Sequence, residues 1–283
     1  MKDYSANCKN TVAVAKELKP SWTGYLTTDG KTIKYRGQKG CMYIGVDNCG
    51  DIVHILAGDG HENKTSWSRF FQELRQDIDY GLVVLISDGN PDIPAACLIY
   101  YRYFIYQTCI YHFLKRIDRS FGYLTVIRHK KKRKQFEMEI GLRQEIHRLL
   151  RRDSLSAFMD DYERIVSLFD QKHYRGLYCF SMVELLKDNL GYLAPHYFDE
   201  QIPGTSNLAE TTIKQYERRL KTIEGFQSAG GFKNYLNVFT MFLRFKKYTD
   251  CRGKNKYRNG QNRLQLAGVN TDNLDWFYWG SSK

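Results

Sequence analysis

Two acidic residues stand in strands where a neutral side chain would pack more easily. In TTDGK, Asp29 falls within a strand pattern, and in GLVVLISDGN, Asp88 ends an apolar run fit for the middle of a sheet. A carboxylate at a buried strand end is costly without a partner. Were the two strands parallel neighbours, Asp29 and Asp88 would lie close enough for each charge to oppose the other's ionisation. A divalent cation resolves that conflict, and Mg²⁺, with Mn²⁺ as its substitute, favours carboxylate oxygens together with substrate phosphate. A third acid, Glu210 of SNLAE, opens a helical pattern and would allow two metals in one cleft. Taken singly, Glu210 also reads as an ordinary helix-start acid and Asp88 as a turn residue. Asp47, in GVDNCGD, is the rival to Asp29, but its neighbours read as a hairpin turn.

The elements that must position these acids alternate in type. From Gly24, GYLTTDGKTIKY, CMYIGVDN and DIVHILAGD read as three strands of an antiparallel meander, with turns at Gly37 to Gly40 and Asn48 to Gly50. TSWSRFFQELRQDI then places Trp67, Phe70, Phe71 and Leu74 on one helical face. LVVLIS, apolar on both faces, reads as a central strand. A short helix over Pro91–Tyr101, a strand in YFIYQ and a helix over Ile110–Ile117 follow. The order predicts a mixed α/β sheet. Beyond it, 113–202 reads as all-helical, closed by the loop DEQIPGTSN. A late helical pattern runs from Leu208 to Lys247 with a break at Gly225 to Gly231, and LDWFYW near the end reads as an apolar docking segment. The expected domains are a remnant or linker over 1–23, a discontinuous catalytic core over 24–112 and 203–250, the helical insertion over 113–202, and a basic tail over 251–283.

Composition narrows the partners. The chain of 283 residues carries a formal net charge of +12, which favours a polyanion, nucleic acid before membrane. No apolar run reaches bilayer length and the first residues form no signal-peptide core, so a cytoplasmic, nucleoid-associated protein is expected. Seven cysteines without a CxxC pair point to reduced thiols. The densest basic run, RHKKKRK, contains Lys130, Lys131, Lys132, Arg133 and Lys134; Lys214 and Arg218 follow Glu210 at helical spacing. A second stretch carries Arg244, Lys246, Lys247, Arg252, Lys254, Lys256, Arg258 and Arg263. All read as solvated faces or as contacts to DNA phosphates, which carry no sequence information.

The ensemble of an Asp in a first strand, an Asp ending a fourth, a helical interlude and a Glu on a late helix resembles the DDE transposases of bacterial insertion sequences related to Mutator-like elements. The resemblance runs from about Gly24 to Trp279 and rests on TTDGK, MYIGVD, DIVHILAG, ISDGN, QTCIYH, SNLAE with KQYERRLKTIEGF, and LQLAG. It implies a ribonuclease H-like core in which Asp29, Asp88 and Glu210 hold the catalytic Mg²⁺ ions. The reaction it implies is cleavage and strand transfer on double-stranded DNA, element ends and target, by a dimer or higher assembly. The C-x-x-H of QTCIYH belongs to the resemblance, giving His112 as an accessory residue and Cys109 as packing beside it. Family members generally carry an N-terminal DNA-binding region, so the expectation is a separately encoded module, a truncated chain or a decayed copy. The alternatives are a structure-selective nuclease on the same core and a catalytically silent DNA-binding derivative.

Overall fold

The computed structural model of the protein describes residues 2–35, 38–223 and 225–281. Two compact units emerge, one joining the chain up to Ile105 with the chain from Ser206 onward, the other spanning Tyr106–Thr205.

The first unit is built on a mixed sheet. Strands β1 (Tyr25–Tyr35), β2 (Gln38–Asp47) and β3 (Ile52–Asp59) form an antiparallel meander. β4 (Val84–Ser87) lies parallel to β1, and β5 (Ile105–Thr108) completes the order β3-β2-β1-β4-β5. Of the expected first turn, Gly37 lies outside the described residues, while Lys39 and Gly40 already pair within β2. The helices before the meander are α1 (Lys2–Asn7) and α2 (Thr11–Leu18), and those after it are α3 (Lys64–Gln72) and α4 (Asp92–Cys97). α4 ends earlier than expected. A π-helical turn, Glu73–Asp77, continues α3.

Alternation along β1 decides what each face meets. Leu26, Thr28 and Gly30 pair with Asp47, Gly45 and Tyr43. That face is covered by α3, whose Trp67 and Phe70 are fully buried, with the Trp67 ring edge-on to Tyr43 at 4.9 Å. Thr27, Asp29 and Lys31 pair with Val46, Ile44 and Met42 on the other face. There the sheet packs against Ala209, Ile213 and Tyr216 of the helix over residues 207–220 and against Phe232 and Leu236 of the helix over residues 229–245. Burying a large apolar side chain contributes ~1.5–3 kcal/mol, so these two layers dominate the stability of the unit.

The second unit is helical beyond the end of β5: α5 (Ile110–Ser120), α6 (Tyr123–Val126), α7 (Lys130–Gln135), α8 (Glu137–Leu149), α9 (Leu155–Asp170) and α10 (Leu177–Leu193). Its core contains Phe113, Ile117, Leu142, Ile146, Phe158 and Met182. The chain then returns to the first unit with α11 (Asn207–Leu220) and α12 (Ala229–Phe245), followed by α13 (Arg263–Leu266) and α14 (Trp276–Ser281). The expected break lies between α11 and α12, and the Ser228 side chain caps α12 by accepting from the Gly231 N–H at 3.0 Å. Trp276 and Trp279 of the tail dock against Cys8, Val14, Met241 and Leu264.

Two expected surface cations are interior. Arg244 is fully buried and donates Nε and Nη2 to the Asp51 carboxylate at 2.9 and 2.6 Å. Trp22 Nε1 donates to the same carboxylate at 3.0 Å. Arg263 is buried too, with its guanidinium on the Gly50 carbonyl. A basic run reads as surface until distant partners, Asp51 for Arg244 and the Gly50 carbonyl for Arg263, claim its members. All seven cysteines are free thiols. Among the described residues no helix is long and apolar enough to cross a membrane.

Candidate functional site

The parallel pairing of β1 with β4 sets the geometry. Thr27 stands opposite Ile86, so two residues further along each strand bring Asp29 and Asp88 to neighbouring positions. Asp88 follows the last residue of β4 and opens a tight turn. Its Oδ1 accepts the Asn90 N–H at 2.9 Å, and the Asn90 side chain in turn accepts from the Asp92 N–H at 3.0 Å, starting α4.

Glu210 enters from α11, on the same face of the sheet as Asp29. Ser206 is the N-cap residue but makes no side-chain cap; its buried hydroxyl instead donates to Glu210 Oε1 at 3.2 Å. The cap hydroxyl, which would otherwise serve a helix N–H, thus orients the carboxylate.

A fourth carboxylate, Glu62, was not singled out by the sequence. It lies in the loop between β3 and α3, immediately before Asn63, the N-cap of α3. Its Oε1 accepts from Trp67 Nε1 at 2.8 Å and from Asn90 Nδ2 at 2.9 Å. The carboxyl group occupies the space beside Gly30, where an added Cβ would stand 2.7 Å from Glu62 Cδ. This contact explains why glycine follows Asp29 in TTDGK. The motif carried the signal, without the identity of the group that fills the gap.

Electrostatics register the convergence. The Asp29 carboxyl is pushed from its ordinary 3.8 up to about 7, first by burial, then by Asp88, with smaller contributions from Glu210 and Glu62 and a partial offset from the Gly30 N–H. Glu62 is also raised, by burial first and by Asp88 after it, against the opposing pull of the Trp67 and Asn90 hydrogen bonds. Neighbouring carboxylates that hinder each other's ionisation suit a hard cation held by oxygen donors.

Asp47 is a different kind of acid. Fully buried, it accepts from the Thr23 and Gly24 N–H groups at 3.0 and 3.1 Å, the Cys49 N–H at 2.9 Å and the Tyr80 hydroxyl at 2.7 Å. It holds together the entry to β1 and the turn after β2. Gly24 takes part with φ +84, where a Cβ would meet the Gly81 carbonyl at 2.5 Å.

The model of the transposase family named Mutator matches residues 15–246. The chain belongs to the Mutator family of transposases. It is similar to the transposase for insertion sequence element IS256 in transposon Tn4001, from Staphylococcus aureus and from Enterococcus faecalis, at 27% identity over 227 residues in each case. Those residues are 77% of this chain and 54% of each relative. The chain therefore spans about half the length of the curated relatives it matches.

The remaining site candidates of this Mutator-family chain fall in both units. Lys214 and Arg218 are exposed on α11, one and two turns beyond Glu210. Arg218 and Arg219 line a groove with Lys246 and Lys247, above Phe239 and Phe242 of α12. Lys130, Lys131, Lys132, Arg133 and Lys134 form nearly all of α7 in the second unit, and all are exposed. Cys109 and His112 also belong to the second unit. Cys109 is the buried N-cap residue of α5, and His112 sits half-buried in the first turn.

Proposed function

We propose that the chain catalyses metal-dependent DNA cleavage and strand transfer at the ends of an insertion sequence. The observation that carries this reading is the adjacency of Asp29 and Asp88 on parallel strands, with Glu210 contributing to the same field. Asp29, Asp88 and Glu210 would hold Mg²⁺, or Mn²⁺ in its place. Bound there, the cations supply charge neutralisation at the phosphate and acidify the attacking water or hydroxyl. The strand order supports a ribonuclease H-like core, and the helical unit between β5 and α11 supports an insertion that separates the last acid from the first two.

The protein's own groups prepare the reaction. Ser206 fixes Glu210 through its hydroxyl, and the turn at Asn90 fixes one oxygen of Asp88. In cleavage, water oxygen bonds to phosphorus, the 3′-oxygen leaves with a proton, and a 3′-hydroxyl and a 5′-phosphate result. In transfer, that 3′-hydroxyl attacks a phosphodiester of target DNA and displaces another 3′-hydroxyl. One phosphodiester replaces another, so no energy source is required. Lys214 and Arg218 beside the acids, together with Lys130, Lys131, Lys132, Arg133 and Lys134 of α7, would contact the DNA backbone. Two ends must be joined in one event, so a dimer or larger assembly would act.

The test compares wild type with Asp88→Asn on the DNA flanking the gene, in Mg²⁺. Nicking at a defined end by wild type alone supports the proposal. Binding without cleavage by both proteins would leave a repurposed DNA-binding protein, and cleavage of branched DNA without joining would leave a nuclease.

A further inference from the structure

We propose that Glu62 is a positioning residue for Asp88, acting through Asn90; the inference rests on reading the acids as the reactive site. One oxygen of Glu62 accepts two hydrogen bonds, from Trp67 Nε1 at 2.8 Å and from Asn90 Nδ2 at 2.9 Å. Trp67 is fully buried in the layer between α3 and the sheet, so the anchor at that end is rigid. Asn90 is the movable end. Its side chain spans Glu62 and the Asp92 N–H, while its own N–H holds Asp88 Oδ1 at 2.9 Å. A chain of contacts thus runs from the core through Glu62 and Asn90 to the carboxylate that ends β4. Without it, the turn after β4 is left with only its local bonds.

Glu62 also fills the space left open beside Gly30. Its other oxygen lies 2.8 Å from the position a Cβ would take at Gly30, the residue next to Asp29. The glycine therefore admits Glu62 to the end of β1, and the two strand-borne acids are spanned by one side chain attached to neither strand. Reacting groups need placement within a fraction of an ångström, and a displacement of about 1 Å can cost ~100-fold in rate. The hydrogen-bond geometry assigns Glu62 this placing role, which an amide oxygen fulfils as well as a carboxylate oxygen.

The variants that separate placement from charge are Glu62→Gln, which retains an acceptor for Trp67 and Asn90, and Glu62→Ala, which removes it. The first readout is the exchange of the Asn90 amide with water, followed by NMR on the metal-free full chain. Exchange at least about 10-fold faster in Glu62→Ala and unchanged in Glu62→Gln is expected, as the loss of a support for the turn. The second readout is single-turnover cleavage in Mg²⁺. There Glu62→Ala should lose about 10- to 100-fold in rate with DNA affinity unchanged, and Glu62→Gln should stay within about 3-fold of wild type. Asn90→Ala, which also loses the bond from the Asp92 N–H, should be at least as slow as Glu62→Ala, and the double variant should be no slower than Asn90→Ala. If Glu62→Ala does not fold, Asn90→Ala alone carries the comparison.

The proposal is overturned if Glu62→Ala leaves both amide exchange and rate unchanged, or if Glu62→Gln fails as badly as Glu62→Ala. The latter would mean that the negative charge, not the placement, is what matters. Should wild type cleave no DNA while the amide readout still separates Ala from Gln, the reaction assignment falls and the tether to Asp88 stands.

Discussion

Replacing Asp29 by Asn should make the metal-free protein more stable at neutral and alkaline pH, although the site itself would be disabled. Folding raises the Asp29 carboxyl from 3.8 to about 7, so the native state prefers it protonated. Stability from this group is fully present below its unfolded value and is lost as pH rises through about 7. A change of that size corresponds to an upper bound of ~4 kcal/mol at pH 8, at ~1.4 kcal/mol per tenfold change in proton affinity. Glu62 is raised in the same field and relaxes part of it, so ~2 kcal/mol is the working figure. For a unit of this size each kcal/mol moves Tm by ~2–4 °C, which gives Asp29→Asn a rise of ~4–8 °C at pH 8 in EDTA. The gap should shrink steadily as the buffer is taken down to pH 4, where wild-type Asp29 is mostly protonated. Added Mg²⁺ should stabilise wild type and leave the variant behind, because a ligand that binds only the native state raises its stability. Thermal unfolding by circular dichroism at pH 4, 6 and 8, with EDTA and with Mg²⁺, covers all three claims. Equal Tm values at pH 8, or a gap that does not change with pH, would refute the argument that burial and the neighbouring carboxylates favour a protonated Asp29.

Other perturbations probe the frame around the site. Arg244→Met should destabilise the protein by ~3–5 kcal/mol in urea unfolding because Asp51 is left buried and unpaired, and adding Asp51→Leu should recover most of the loss. Asp47→Ala strands the Thr23, Gly24 and Cys49 N–H groups and the Tyr80 hydroxyl, at ~1–3 kcal/mol for each buried donor left without water. In contrast to Asp29→Asn it should lower Tm at every pH in the same scans. Replacing Lys131, Lys132 and Arg133 together by Ser should reduce the slope of log affinity for duplex DNA against log salt by up to ~2.7, at ~0.9 for each phosphate no longer neutralised. Fluorescence anisotropy across a salt series reads this, and an unchanged slope would remove α7 from the DNA-binding surface.

The sequence makes some of this visible and hides the rest for physical reasons. Asp29 and Asp88 stand out because a strand interrupted by an acid conflicts with burial, and such a local conflict can be read in a few residues. The meander and the pairing of its strands follow from alternation and turn residues for the same reason. Glu62 sits in an irregular loop with no periodicity, and its role depends on Asn90 and Trp67, which reach it from other elements. Arg244 reads as one cation in a basic run, since its partner Asp51 is 193 residues away in the chain. Ser206 reads as an ordinary helix cap, and only the placement of Glu210 one turn later redirects its hydroxyl.

The return of the chain to the first unit at Ser206 has a consequence for biosynthesis. A ribosome that has released only the residues up to Ile105 has delivered Asp29, Glu62 and Asp88, while the sheet face of Met42, Ile44 and Val46 still lacks its cover from α11 and α12. That nascent half exposes apolar strands and holds an incomplete set of acids. Folding of the first unit must wait for the distal segment, and chaperones have that interval in which to engage the bare sheet. The order of synthesis therefore keeps the acid cluster incomplete until the distal segment emerges, so a product terminated before Glu210 would lack the fourth carboxylate and be prone to aggregate.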